Sequence, residues 1–120
     1  MKRVKISDQQ FEDREGYGRA VLFTQDDFST NTKFQIMQLV AGQSIDPHYH
    51  KQRTECFRII SGRGKIVING ETVADSSDDI VLCEPGDIHE FINNSQDEPL
   101  IFQVIRTNDP SDRDMYWVNG

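Results

Sequence analysis

Gly42-Gln43-Ser44-Ile45-Asp46-Pro47-His48-Tyr49-His50-Lys51-Gln52-Arg53-Thr54-Glu55-Cys56-Phe57-Arg58-Ile59-Ile60-Ser61-Gly62 holds two of the three histidines of the chain. His48 and His50 are two residues apart. In an extended strand that spacing sends both imidazoles to the same face, where they can converge on one point. Five residues on, Glu55 opens an apolar run that alternates with Phe57 and Ile59. A chain that turns at Lys51-Gln52-Arg53 and returns antiparallel would set Glu55 beside both imidazoles. The third histidine, His89, comes from a distant strand after the turn Pro85-Gly86-Asp87.

Working outward, the chain reads as short strands separated by turn residues: 19–24, 33–40, 54–60, 65–69, 80–83, 88–92 and 100–107. Asn69-Gly70 between Ile66-Val67-Ile68 and Glu71-Thr72-Val73 is the clearest hairpin signal, because both central positions want positive φ. Helix signals are thin: one turn at Asp26-Asp27-Phe28, with acidic residues suited to an N-terminus, and a second short piece near Ser111-Asp112-Arg113-Asp114. Short strands with dense turn signals predict a single all-β domain over residues 1–120.

Composition narrows the function. Thirteen Lys plus Arg stand against 20 Asp plus Glu, a formal charge of −7, and no basic cluster is visible. That argues against nucleic acid as a partner. The acidic segments Glu12-Asp13, Asp26-Asp27, Asp78-Asp79 and Asp97-Glu98 read as solvated surface. No apolar run approaches a spanning helix or a signal peptide, so a cytoplasmic protein without membrane contact is expected. Cys56 and Cys83, each inside an apolar run, read as small buried hydrophobes and not as a disulfide framework.

Three imidazoles and one carboxylate are borderline ligands that suit a divalent transition metal: Fe, Mn, Ni, Cu, Co or Zn. Spacing alone leaves a second reading open, with two inert turn histidines and one core histidine. The stretch from Gly42 to Gly62, with His48, His50 and Glu55 at its fixed positions, resembles the first motif of the cupin superfamily. Pro85-Gly86, His89 and Asn93 are similar to the second, although Asp78 stands where that motif opens with glycine and Glu84 where its first proline falls. The resemblance implies a double-stranded β-helix, or jelly-roll barrel, with a metal-binding core over about residues 33–107. It implies His48, His50, Glu55 and His89 as ligands of one metal ion per chain. Gly42, Gly62 and Gly86 are implied as turn positions, Asn93 as a structural polar residue, and a homodimer as the assembly.

Strand parity places Phe57, Ile59 and Phe91 on the inward face and Cys56 and Arg58 on the other. Tyr49 should point away from its flanking histidines. Gln35, Gln38 and Gln103 are the polar pocket candidates, with their facing undecided. Met115-Tyr116-Trp117-Val118 is expected to cover a barrel end or to join a partner chain. No Lys or Arg is placed in the pocket by these patterns, so an apolar lining and an uncharged or aromatic substrate are expected. The leading expectation is an enzyme of dioxygenase type acting on a small metal-chelating molecule, with Glu55 as a candidate general base. A non-redox isomerase or lyase of sugar or uronate type, and a non-catalytic ligand-binding or sensing cupin, are the alternatives.

Overall fold

The computed structural model describes residues 1–14 and 16–119. Its eleven strands are β1 (Glu12–Asp13), β2 (Gly18–Phe23), β3 (Thr32–Leu39), β4 (Ser44–Tyr49), β5 (Thr54–Ser61), β6 (Lys65–Ile68), β7 (Glu71–Ala74), β8 (Val81–Cys83), β9 (His89–Ile92), β10 (Leu100–Thr107) and β11 (Tyr116–Trp117). They form two antiparallel sheets, ordered β1-β2-β3-β10-β5-β8 and β11-β4-β9-β6-β7. The sheets face each other as a jelly roll, a way of limiting exposed sheet edges in an all-β domain.

Period-two alternation explains the core. Along β10, Leu100, Phe102, Val104 and Arg106 are buried while Ile101, Gln103 and Ile105 are half-buried. Along β5, Glu55, Phe57 and Ile59 point inward and Arg58 outward, as parity predicts. Between the sheets, Phe91 stacks on Phe102 at 4.5 Å and meets Phe57 edge-on at 5.0 Å. The core continues through Met37, Leu39, Ile45, Ile66 and Leu100.

The turns follow their residues. Asn69 and Gly70 both take positive φ (52° and 82°) and close the β6–β7 hairpin. Gly62 is required twice over: its φ is 91°, and a Cβ there would lie 2.2 Å from the Pro99 carbonyl oxygen. Gly42 and Gly86 also take positive φ, whereas Asp78 does not, so the second motif makes its turn without a left-handed residue at that position. Asn93 is buried and donates to the carbonyls of Leu39 (3.0 Å) and Glu98 (2.8 Å), the structural role expected of it.

Helix α1 (Gln25–Phe28) forms where acidic residues suggested it, held by a capping box between Thr24 and Asp27. Ser111–Asp114, expected as a helical piece, is instead a turn. The Ser111 carbonyl and the Asp112 and Asp114 carboxylates are taken up by partners elsewhere in the chain. The expected β4–β5 hairpin is also corrected. The chain passes at Lys51–Arg53 from one sheet to the other, so β4 and β5 are not paired. No helix of the described residues is long and apolar enough to cross a membrane.

Candidate metal centre

Three elements deliver the histidines. His48 lies on β4 directly opposite His89 on β9, and His50 follows just past the end of β4. The β4–β9 register shifts between Ile45 and His48, around Pro47, which has no N–H to give to a ladder. Irregularities of this kind re-aim side chains. The Gly86 N–H donates to the His50 carbonyl at 2.8 Å and ties the loop before His89 to the end of β4. All three histidines are buried, and one ligand atom from each lies within 4.8 Å of the others.

Each ring is oriented by its Nδ1. His48 Nδ1 is 2.7 Å from the Asp46 carbonyl, His50 Nδ1 is 2.5 Å from the Asp114 carbonyl, and His89 Nδ1 is 3.2 Å from the Asp87 carbonyl. A carbonyl only accepts, so each Nδ1 carries a proton and each Nε2 is turned toward the common centre. His89 Nε2 is buried without a hydrogen-bond partner among the described residues. Burial, reinforced by the nearby His89 and His50, lowers the His48 pKa to about 3, so this imidazole is neutral at physiological pH. Preoriented imidazoles with Nε2 atoms turned to one point suit a transition metal.

Glu55 completes the cluster. Its Oε1 is 2.7 Å from His50 Nε2 and 3.3 Å from His89 Nε2. Two ligands at right angles on bonds near 2.1 Å stand about 3.0 Å apart, so these separations suit neighbouring donors on one ion. Its Oε2 accepts from Arg106 Nε at 3.2 Å, with Arg53 at 3.7 Å. Burial acts to raise the Glu55 pKa, but the adjoining His50 and His89 rings and the charge of Arg106 hold it well below the usual carboxylate range. The three expected histidine ligands thus converge on one point, and Glu55 adjoins two of them, His50 and His89.

The walls are apolar in part: Met37, Ile45, Phe57, Phe91 and Val104 line the central chamber, together with Tyr17, Arg106 and Met115. The expectation of a pocket without a cation is corrected by Arg106. Its position, two beyond Val104 on the inward parity of β10, was the available signal. Gln35 also faces inward, and its amide oxygen, in the orientation that satisfies both groups, accepts from Arg106 Nε at 3.0 Å. Gln38 and Gln103 lie half-buried on the opposite parity. The chamber is small, about 20 Å³, and adjoins an outer cavity of about 430 Å³ through Tyr17, Arg106 and Met115.

Two further residues escaped sequence reading. The Asp114 carboxylate accepts from the backbone N–H groups of Lys51, Gln52 and Arg53 at 2.8–3.0 Å, fixing the sheet-to-sheet passage between His50 and Glu55. Arg53 is buried beside Glu55 and Asp109. Tyr49 points away from the cluster and stacks on Tyr116, as expected. Strand β11 covers the open edge of β4 and brings Trp117 to 5.3 Å from His48. Cys83 is buried 3.4 Å from His89 Nδ1, and burial pushes its pKa up to about 12, so it is a neutral packing thiol; Cys56 is half-buried.

A family model described as a cupin domain, Cupin_2, matches residues 35–106. The chain belongs to the cupin family. Among curated proteins, this cupin is similar to the oxidoreductase OpS7 of Beauveria bassiana, with 38% identity over 72 aligned positions. The match covers 51% of this chain and 24% of that protein, so the cupin spans about a quarter of its relative. Among solved structures it resembles a predicted oxalate decarboxylase from Thermotoga maritima, with a TM-score of 0.78 and 21% identity over 90% of this chain and all of the other. It also resembles the polyketide cyclase RemF from Streptomyces resistomycificus, with a TM-score of 0.76 and 20% identity over 98% and 85% of the two chains. At these identities the structural likenesses establish the shared fold.

Proposed function

We propose that this cupin is a metal-dependent enzyme acting on a small organic molecule, with oxidation by dioxygen as the leading reaction class. The observation that carries the reading is the convergence of three buried imidazole Nε2 atoms, each set by an Nδ1–carbonyl hydrogen bond, beside a cavity that leads outward. His48, His50 and His89 would hold the ion, with Glu55 as the fourth ligand. When bound, such an ion supplies Lewis acidity and, if redox-active, electron exchange with dioxygen. The oxidoreductase name of the fungal relative supports the oxidative branch.

The remaining work falls to side chains of this chain. Phe57, Phe91 and Val104 keep bulk water from the chamber, which strengthens electrostatic interactions inside it. Glu55, paired with Arg106, stays ionised and is a weak base, so its role as charge-bearing ligand is better supported than general-base work. A second reading, non-redox isomerase or lyase chemistry, is favoured by the arginines at the cavity mouth, which suit a polar or acidic substrate better than an uncharged aromatic one.

Metal analysis of untagged protein followed by a dioxygen-uptake screen tests the reading. Iron, manganese, nickel or copper at stoichiometric occupancy with substrate-dependent oxygen uptake supports oxidation. Product formation without oxygen uptake selects the second reading. Ligand-induced stabilisation without product would replace both with a binding role. Pairing of two chains belongs to the same proposal. Ile80 and Leu82 stand exposed at the free β8 edge of the larger sheet, and sedimentation equilibrium tests it.

A further inference from the structure

The outer cavity is lined by Asp13 and Asp112 with Arg14, Arg19 and Arg106, and Glu12 also pairs with Arg14 at 3.0 Å and Arg19 at 4.0 Å. Asp112 receives Arg106 at 2.8 Å, Arg19 at 3.1 Å, and Arg14 and Lys33 at 3.7 Å each. Four cations thus converge on a single side chain that is itself 39% exposed and sits on the turn between β10 and β11. Arg19 and Arg106, by contrast, are more than nine-tenths buried and project from the sheet. Arg19 Nε is buried with no hydrogen-bond partner among the described residues, although this guanidinium lines the cavity. Two buried guanidiniums with donor capacity to spare are thus met by a partly exposed carboxylate on a surface turn.

The cradle is also one guanidinium wide from the metal centre. Arg106 gives Nε to Glu55 and a terminal nitrogen to Asp112, so whatever takes the place of Asp112 stands directly across Arg106 from Glu55. The central chamber has room for about one water as it stands. Its boundary with the outer cavity is shared by Tyr17, Arg106 and Met115, and an unbranched methionine yields readily.

We propose that Asp112 occupies the position of a substrate carboxylate, and that the substrates of this site are small organic acids. The acid group displaces Asp112 from Arg19 and Arg106, while an oxygen elsewhere on the molecule reaches past Met115 toward the histidines. This deepens the metalloenzyme reading by naming its substrate class, but the cradle itself needs no metal to bind an anion.

The experiment is a titration of the full chain with propionate, a monocarboxylate that chelates metals poorly, followed by nuclear magnetic resonance in zinc-loaded and metal-stripped protein. Signals of Arg19, Arg106 and Asp112 are expected to move in both forms. D112N should bind propionate about tenfold more tightly, the scale of one charge-assisted interaction no longer in competition. R19Q should lose the binding. Because the wild-type shifts locate the site by themselves, the test survives a variant that does not fold. Shifts confined to other surfaces, binding seen only with zinc present, or a D112N affinity equal to wild type would each overturn the proposal. Loss of metal binding by wild-type protein, with the Arg19 shifts intact, would instead overturn the metalloenzyme reading alone.

Discussion

Arg106 Nε donates to Glu55 Oε2 at 3.2 Å, while the other oxygen of the same carboxylate faces His50 Nε2 at 2.7 Å. The two contacts divide Glu55 between a cation that orients it and the centre it serves. Outer partners of this kind set the direction and charge of a ligand. In Arg106→Gln, metal affinity should fall about 10–100-fold, the usual scale for an outer partner of a ligand. Loss of the buried cation should also lower folding stability by about 3–5 kcal/mol, because three carboxylates lose a shared partner. Chelator competition reads the first effect and urea unfolding the second. Unchanged affinity would mean that Glu55 does not act on the metal through this contact.

Trp117 is the single tryptophan of the chain and its ring lies 5.3 Å from His48. Copper(II) or nickel(II) held by the histidines should quench its emission strongly, whereas the same ions added to His48→Ala should leave it nearly unchanged. Equal quenching in both proteins would place the metal elsewhere.

Asp114 fixes the passage between the two sheets through three backbone N–H groups. Asp114→Ala leaves the buried Arg53 N–H without its acceptor, and destabilisation of about 1–3 kcal/mol is expected for such a group. The midpoint of urea unfolding measures it. A loss within error would show that water replaces the carboxylate at no cost.

The Asp112 cluster has a defined pH signature. Partial burial opposes ionisation of Asp112, but hydrogen bonds from Arg19 and Arg106, and the charges of Arg19 and Lys33, depress its pKa. A depressed folded-state pKa stabilises above the unfolded value, near 3.9, and that contribution fades as pH falls toward the folded value. Wild type should therefore exceed Asp112→Asn in thermal stability at pH 7, with the gap shrinking steadily below about pH 4. Solvent exposure and added salt keep the gap modest. A gap that widens in acid would contradict the assignment of these partners.

Much of the site was legible because strand parity is a local rule. His48 and His50 share a face, Glu55 shares one with Phe57 and Ile59, and His89 shares one with Phe91. None of these inferences needed knowledge of the sheet order. What parity could not supply was partnership. The turn at Lys51–Arg53 leads to a different sheet and not to a hairpin, a choice made by Asp114, more than 60 residues away in sequence. Arg106 obeyed the inward parity of β10, yet a charged residue at a strand end is ordinarily solvated. Only its buried partners Glu55, Gln35 and Asp109 show why it is not. The Ser111–Asp114 segment has helix-compatible residues, but long-range hydrogen bonds from Arg53, Arg19 and Lys51 outweigh local propensity there.

Metal content per chain tests the central claim most directly. Untagged wild type, reconstituted with a divalent transition metal and freed of excess, should hold about one ion per chain, with His48→Ala and His89→Ala holding far less and losing the thermal stabilisation the ion confers. Wild type that remains empty after reconstitution, or variants as fully loaded as wild type, would contradict the assignment of His48, His50, His89 and Glu55 as a metal centre.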